Sequence, residues 1–399
     1  MNAPRVLASL GARDTGNAQR CRPHDWLNLA AILLRVDEKR AREAWAACER
    51  FLTGFAPTER DPHSTLLTLA ERAPALGDAD RYGGGVLAER LETRVAGLLG
   101  KDAAVWMPSG TMAQQIALRI HARRTGGELV AFHPLCHLDV HEERGYEWLH
   151  GLRASLLGHR DRLVTAKDVE ELGEPVAALL LELPQRDLGG RLPSWDDLVA
   201  IVDAARGRGA AVHLDGARLW QCAPFYERGL AEIAALFDTV YVSFYKDLRA
   251  LAGCMLAGPG DVIAEARVWQ IRHGGRMFTA YPFLLSAESG LDEVLPRMPA
   301  YVSHTRAVGE VLAGLDDVSV VPSPPQAAMF HLHVRRDHER LEEASLELAE
   351  ETKTWVASFW RVGADPAVAV TEITIGEANL AVMPGQAAEL YTELLRRSA

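Results

Sequence analysis

Two apolar segments of the chain are followed by residues that could do chemistry. Val240–Ser243 is β-branched and aromatic, and Lys246 stands three residues after it. Residues 210–214 have the composition of a second buried strand, and Asp215 follows them directly. A buried lysine titrates low, and its neutral amine can attack an aldehyde. Most lysines at strand ends are simply solvated, so Lys246 is a candidate catalytic residue only because Asp215 follows a second predicted strand.

An acid and a lysine placed in this way suit pyridoxal 5'-phosphate (PLP). A carboxylate can keep the pyridine nitrogen protonated, while a lysine amine binds the aldehyde. Ser109, Gly110 and Thr111 form a turn between the predicted strand 103–107 and a helix, and such a turn could hold the phosphate. Ser and Thr also cap helices that bind nothing, so this turn alone is a weak signal.

Polar residues also follow the predicted strand 129–132. His137 could stack on a flat ring, and the alternative is the start of a charged surface helix. His133, His137 and His141 are four residues apart, which is the spacing of a helical zinc pair. Pro134 breaks that helix and the glutamate of HExxH is absent, so we expect no metal.

Composition limits the class of protein. A chain of 399 residues with 48% hydrophobic residues favours two domains of a globular enzyme. A net charge of −11 with scattered arginines argues against nucleic-acid and membrane partners. Five cysteines without a CxxC pair fit a reducing compartment, and no segment is typical of a signal peptide or a membrane span. We therefore expect a cytoplasmic protein.

Strands that alternate with helices predict an α/β fold with a mainly parallel central sheet. Residues 1–75 are expected to form a leader and an N-terminal helical arm, and residues 76–300 a large domain. Residues 301–399 are expected to form a small C-terminal α/β domain. Within the large domain, the pattern over 163–172 predicts a strand followed by a helix.

Three motifs in this order resemble those of the PLP-dependent threonine aldolase and β-eliminating lyase family. They are MPSGTMA at 107–113, HLDGAR at 213–218 and SFYK at 243–246. The resemblance runs from about Tyr82 to Gly258 and is weaker beyond. It implies the PLP-dependent transferase-like fold (fold type I, aspartate-aminotransferase-like).

The resemblance also implies how the cofactor would be held. Lys246 would bind the cofactor aldehyde as a Schiff base, and Asp215 would pair with the ring nitrogen. Residues 109–111 would hold the phosphate, and His137 would stack on the ring. Arg218 would lie near the phenolic oxygen and the substrate carboxylate. The four side chains Lys246, His137, Asp215 and Arg218 are thus the expected catalytic set.

The resemblance further implies cleavage of the Cα–Cβ bond of a β-hydroxy amino acid to glycine and an aldehyde. Glu142 stands at the spacing of a family glutamate. Gln185 occupies the loop where the family often has a histidine, and an amide cannot act as a base. Glu372 stands near the place of an arginine that receives the substrate carboxylate, and it would repel that group.

These departures leave two alternatives open. One is a PLP enzyme of the same fold that performs β-elimination or a biosynthetic condensation. The other is a catalytically inactive partner protein, for which Asp247 and Arg249 beside the lysine are the only motive. The resemblance implies a homodimer or homotetramer, in which Arg272 or Arg276 of a neighbour could contact the substrate. Ordinary solvent-facing arginines at a helix end are the other interpretation of these two residues.

Overall fold

The computed structural model describes residues 38–75 and 79–399, so the predicted leader lies outside the described residues. The α-helices are α1 (Glu38–Ala47), α2 (Pro62–Arg72), α3 (Val86–Leu98), α4 (Gly110–Thr125), α5 (His137–Val140), α6 (Gly145–His150), α7 (Ala166–Glu170), α8 (Trp195–Gly207), α9 (Ala223–Tyr226), α10 (Leu230–Ala235), α11 (Gly260–Arg272), α12 (Tyr281–Glu293), α13 (Met298–Ala313), α14 (His338–Thr352) and α15 (Pro384–Arg397). The strands are β1 (Arg50–Phe51), β2 (Ala103–Met107), β3 (Leu129–Phe132), β4 (Arg153–Leu156), β5 (Ala178–Glu182), β6 (Ala211–Gly216), β7 (Thr239–Ser243), β8 (Cys254–Gly258), β9 (Val318–Val321), β10 (Met329–Val334), β11 (Thr354–Trp355), β12 (Arg361–Val362) and β13 (Ala369–Thr374). None of the helices in these described ranges is long and apolar enough to cross a membrane.

The central sheet has the order β2-β8-β7-β6-β5-β3-β4. Every neighbouring pair from β7 to β4 is parallel, and only β8 runs antiparallel to its two neighbours. The core strands β5, β6 and β7 are apolar and almost wholly buried, as strands covered on both faces must be. The predicted mainly parallel sheet is therefore confirmed.

One edge of this sheet differs from the prediction. The strand expected within 163–172 does not form, and only the helix α7 is found there. Thr165 and Asp168 make a reciprocal capping box that begins this helix. The edge strand is instead β4, which pairs in parallel with β3. Its side chains are partly exposed, so it lacks the apolar run that marks the inner strands.

The C-terminal part contains an antiparallel sheet of order β12-β13-β10-β9. The loop after β5 packs against this sheet at Gly189 and Gly190. Both have positive φ, and a Cβ on Gly189 would lie 2.1 Å from the Val321 carbonyl oxygen. Only glycine permits this approach, so the loop is fixed where the two sheets meet. The division at 75 and 300 stays a prediction.

Residues 50–59 contact the C-terminal part of their own chain. Strand β1 pairs in parallel with β11. The Thr53 hydroxyl accepts a hydrogen bond from the Thr374 amide at 2.8 Å, and Asn379 donates to the carbonyls of Phe51 and Gly54. Glu59 forms an ion pair with Arg249, three residues after Lys246. This segment therefore links the C-terminal part to the lysine loop.

Candidate active site

The acid and the lysine predicted from sequence lie at the same edge of the central sheet. Asp215 is in β6, and β7 runs parallel beside it, with Asp215 opposite Tyr241. Lys246 follows the end of β7 by three residues. The carboxyl ends of parallel strands form the usual ligand crevice of an open α/β sheet.

Lys246 is in an environment that favours its neutral form. Burial lowers the pKa of its amine, and the Arg218 guanidinium lowers it further, while Asp215 acts in the opposite direction. Desolvation and a nearby like charge both disfavour an ammonium ion. A neutral amine is the nucleophilic form of lysine. The residue therefore has the character that attack on an aldehyde requires.

Asp215 is almost completely buried and is oriented by two donors. Its Oδ1 accepts from the Ala217 amide at 3.0 Å, and its Oδ2 accepts from the Gln114 side chain at 2.9 Å. The two hydrogen bonds fix the orientation of the carboxylate. Sequence reasoning missed Gln114, because a glutamine inside a helix carries no signal until the helix is placed on the sheet.

The predicted phosphate turn lies at the start of α4, with Ser109 as its N-cap. Within the described structure, the Ser109 side chain makes no capping hydrogen bond, so it does not occupy the first-turn N–H groups. A Cβ on Gly110 would lie 2.1 Å from the Tyr241 hydroxyl, so glycine lets this turn approach β7. Residues 109–111, including Thr111, therefore lie at a helix N-terminus beside the strand that leads to Lys246, and their role as an anion seat stays a prediction.

His137 is the first residue of α5, and the Glu142 carboxylate orients its ring. Its Nδ1 lies 2.9 Å from Glu142 Oε1, and Gln115 of α4 donates to Glu142 Oε2 at 3.3 Å. The Glu142 side chain is only 2% exposed, whereas one third of the His137 side chain is accessible. The structure thus brings the two predicted residues together, with α4 as their support. Sequence reasoning did not identify Gln115.

Arg218 and Asp247 lie side by side, with 4.0 Å between Nε and Oδ1. The Gln221 side chain donates to Asp247 Oδ1 at 2.7 Å and accepts from the Ala328 amide at 2.9 Å. Burial raises the pKa of Asp247 to about 6, although Arg218 opposes this shift. Asp247 is therefore a buried carboxyl that links Arg218, through Gln221, to the C-terminal part.

The raised pKa predicts how stability depends on pH. Unfolding returns the pKa of Asp247 to its ordinary value of 3.8, so the native state binds more protons between about pH 4 and 6. Ionisation of this carboxyl costs stability as the pH rises through that window. The Asp247→Asn variant avoids this cost, so its free energy of unfolding relative to the unaltered protein should increase over the window. Urea unfolding at several pH values measures this difference; a flat or falling difference would contradict the expectation.

Gln185 bonds to a carboxyl that sequence reasoning missed. Its side chain donates to Glu182 Oε2 at 2.8 Å, and the Arg186 amide donates to Glu182 Oε1 at 3.1 Å. Glu182 lies opposite Asp215 in the paired strands β5 and β6. Burial, and then Asp215, raise the pKa of Glu182 to about 8. The signal in the sequence that could have identified Glu182 is its position as a charged residue at the end of an apolar strand.

Glu372 is not an isolated negative charge. Its carboxylate pairs with Arg186, with 2.9 Å between Nε and Oε2 and 3.2 Å between Nη2 and Oε1. Burial raises the pKa of Glu372, but Arg186, His331 and Arg218 together outweigh it and hold the pKa below its ordinary value. His331 Nε2 lies 3.7 Å from the same carboxylate. Sequence reasoning missed Arg186, because the partners are far apart in the chain.

The two arginines that a neighbouring subunit could contribute lie away from the strand ends of their own chain. Arg276 donates to the Tyr82 carbonyl and lines a cleft with Glu92 and Trp106. Arg272 lies over the Trp269 ring at 4.5 Å. The contacts that the structure gives Arg276 within this chain include none of the residues at the strand ends, so its substrate role stays a prediction. In the described part of the chain, no three His, Cys, Asp or Glu residues are grouped to hold a metal ion.

Comparison with known proteins agrees with this geometry. A proposed L-allo-threonine aldolase from Listeria monocytogenes EGD-E is 35% identical, with a TM-score of 0.84 over 90% of this chain and 98% of that one. A proposed aromatic amino acid beta-eliminating lyase/threonine aldolase from Exiguobacterium sp. 255-15 is 36% identical, with a TM-score of 0.84 over 90% and 99%. Low-specificity L-threonine aldolase 1 of Arabidopsis thaliana is 26% identical over 61% of this chain and 70% of its own. Against several other curated relatives, the match spans about half of their length.

These findings confirm the predicted fold class and the expectation of a lyase. Both of the solved structures align with 90% of the chain at a TM-score of 0.84. Residues 67–354, most of the chain, match the sequence model of one family. By that match the protein belongs to the beta-eliminating lyase family.

Proposed function

We propose that the protein is a PLP-dependent lyase that cleaves the Cα–Cβ bond of a β-hydroxy amino acid to glycine and an aldehyde. The observation that carries the proposal is the juxtaposition of Lys246 and Asp215 at one sheet edge. The names of the similar proteins, which are threonine aldolases, support the same reaction class.

The residues present fit the cofactor. The first turn of α4 would hold the phosphate, because its N–H groups and the positive end of a 16-residue helix lie beside β7. Asp215 would hold the ring nitrogen in its protonated form, and Lys246 would bind the aldehyde. When bound, PLP supplies an electron-accepting ring that stabilises negative charge at the substrate α-carbon.

Cleavage also requires a group that takes the proton of the β-hydroxyl. We assign this role to His137. When its Nδ1 carries a hydrogen and donates to Glu142, Nε2 is left as the acceptor. A carboxylate behind an imidazole fixes both its orientation and its tautomer. Gln185 cannot replace it, because an amide does not accept a proton at neutral pH.

The decisive experiment is an end-product assay on the purified protein loaded with PLP. A panel of β-hydroxy amino acids that differ in side chain and in configuration at Cβ is supplied, and aldehyde and glycine are measured. Equal amounts of both products from at least one substrate are expected. No aldehyde from any member of the panel would refute the cleavage reaction.

A second candidate is β-elimination, and Gln185 is the observation that favours it. This amide stands in the loop after β5 and is bonded to Glu182 instead of offering a base to a hydroxyl. Substrates with a good leaving group at Cβ need less help from a base. Pyruvate and ammonia from such a substrate, without aldehyde from the first panel, would establish this alternative.

We also propose that the working form is a homodimer or homotetramer. Val86, Phe278 and Tyr82 are exposed apolar side chains, at 73%, 61% and 53%, and the last two are in edge-to-face contact. Exposed apolar groups gathered in this way are typical of contact surfaces. Sedimentation velocity at working concentration tests this proposal.

A further inference from the structure

Arg186 is anchored at the same sheet edge as the candidate catalytic residues. Its amide donates to Glu182 Oε1 at 3.1 Å, and Glu182 lies opposite Asp215 in the neighbouring strand. The loop that carries Arg186 is held on its other side by the approach of Gly189 to Val321. The backbone of Arg186 is therefore fixed from both sides.

The side chain of Arg186 is also held. Its Nε and Nη2 atoms both face the carboxylate of Glu372, at 2.9 Å and 3.2 Å from the two oxygens. The Arg186 and Glu372 side chains are only 14% and 17% exposed. Arg186 Nη1 lies 3.7 Å from Asp187 Oδ1. A planar guanidinium that faces two carboxylates in a partly buried place has lost most of its conformational freedom before a ligand arrives.

Two guanidinium groups act on the amine of Lys246. Burial lowers the pKa of Lys246 most, Arg218 lowers it next, and Arg186 adds to the same direction. An amino acid that reacts through its amine at this place brings its carboxylate close to the same surroundings. The resemblance led us to expect an arginine near position 372, but a glutamate stands there and an arginine reaches it from position 186.

We propose that Arg186, oriented by Glu372, binds the α-carboxylate of the amino acid substrate. This assignment rests on the proposed function and adds a binding residue to it. Arg186 would be a binding residue and Glu372 a positioning residue. The carboxylate-binding arginine of this chain then comes from the loop after β5 and not from the C-terminal sheet.

The test compares two ligands that differ only in the carboxylate. Glycine and methylamine are titrated separately into the PLP-loaded protein, and binding is followed by calorimetry and by the cofactor absorbance. The Arg186→Gln variant is expected to weaken glycine binding by about 10- to 100-fold, which is typical of a lost charged hydrogen bond. Methylamine binding should change by less than about 3-fold, because it has no carboxylate. Arg191→Gln, in the same loop and with the same change of charge, is the control and should leave both ligands unaffected.

Two further variants guard against misfolding and against a general charge effect. Arg186→Lys keeps the charge but loses the planar pair of N–H donors that binds a carboxylate at two points. It should therefore fold and bind glycine with intermediate affinity. Glu372→Gln should weaken glycine binding less than Arg186→Gln does, and again spare methylamine. Equal weakening of both ligands, or unchanged glycine binding in both Arg186 variants, would overturn the proposal.

The outcome is separable from that of the proposed function. Glycine binding needs no turnover, so a protein that releases no aldehyde can still be tested. If the unaltered protein shows no response to glycine at all, the proposed function fails. If it responds and the Arg186 variants respond equally, the proposed function stands and only the assignment of Arg186 fails.

Discussion

Replacing Lys246 with alanine is expected to abolish the visible absorbance of the PLP-loaded protein and to lower turnover by at least about 10³-fold. The reason is that, in the part of the chain that the structure describes, no other lysine is placed beside Asp215 and Arg218. Without the covalent link, the cofactor would be held only by residues 109–111, Asp215 and His137. Spectra after gel filtration measure the bound cofactor, and aldehyde release measures the activity.

The control for this variant is Lys167→Ala. Lys167 is exposed and pairs only weakly with Glu171, at 3.6 Å. It should keep the spectrum and the activity of the unaltered protein. A retained visible band in Lys246→Ala, with circular dichroism unchanged, would show that another amine binds the aldehyde and would refute the assignment.

Replacing Asp215 with asparagine is expected to lower kcat by about 10²-fold or more. The amide cannot hold the ring nitrogen in its charged form, so the ring accepts electrons less well. Its oxygen can still accept from the Ala217 amide, so the fold should be kept. The expected signature is a fall in kcat while glycine still binds, because binding through Lys246 does not need the negative charge.

Asp203→Asn provides a matched control, since Asp203 is an exposed residue on the outer face of α8. It should leave kcat unchanged. A kcat of Asp215→Asn within about 3-fold of the unaltered value would mean that the carboxylate does not act on the ring. The two variants together separate an effect at the ring from a general loss of negative charge.

The sequence was informative where residues are local to strand ends. Asp215 and Lys246 could be assigned because each follows an apolar strand, and such strands end at one edge of a parallel sheet. The turn at 109–111 could be assigned for the same reason, since it joins a strand to a helix. In these cases the chemistry and the element that positions it are neighbours in the chain.

Residues that act through partners far away in the chain could not be found in this way. Arg186 meets Glu372 across the junction of two sheets, and Gln114 meets Asp215 only when α4 lies on the sheet. Sequence reasoning treated Glu372 as an unpaired charge for this reason, because no local pattern connects it to the arginine that pairs with it. Strand β4 was missed because an exposed edge strand needs no apolar run.

The pairing of β1 with β11 has a consequence for biosynthesis. Arg50 lies opposite Thr354, so the partners are 304 residues apart (354 − 50). At about 5–20 residues per second, a ribosome makes Thr354 roughly 15–60 seconds after Arg50. Residues 50 and 51 must therefore wait until residues 354 and 355 have been translated before the hydrogen bonds of β1 close. A transcript truncated upstream of codon 354 would leave that segment permanently without its partner.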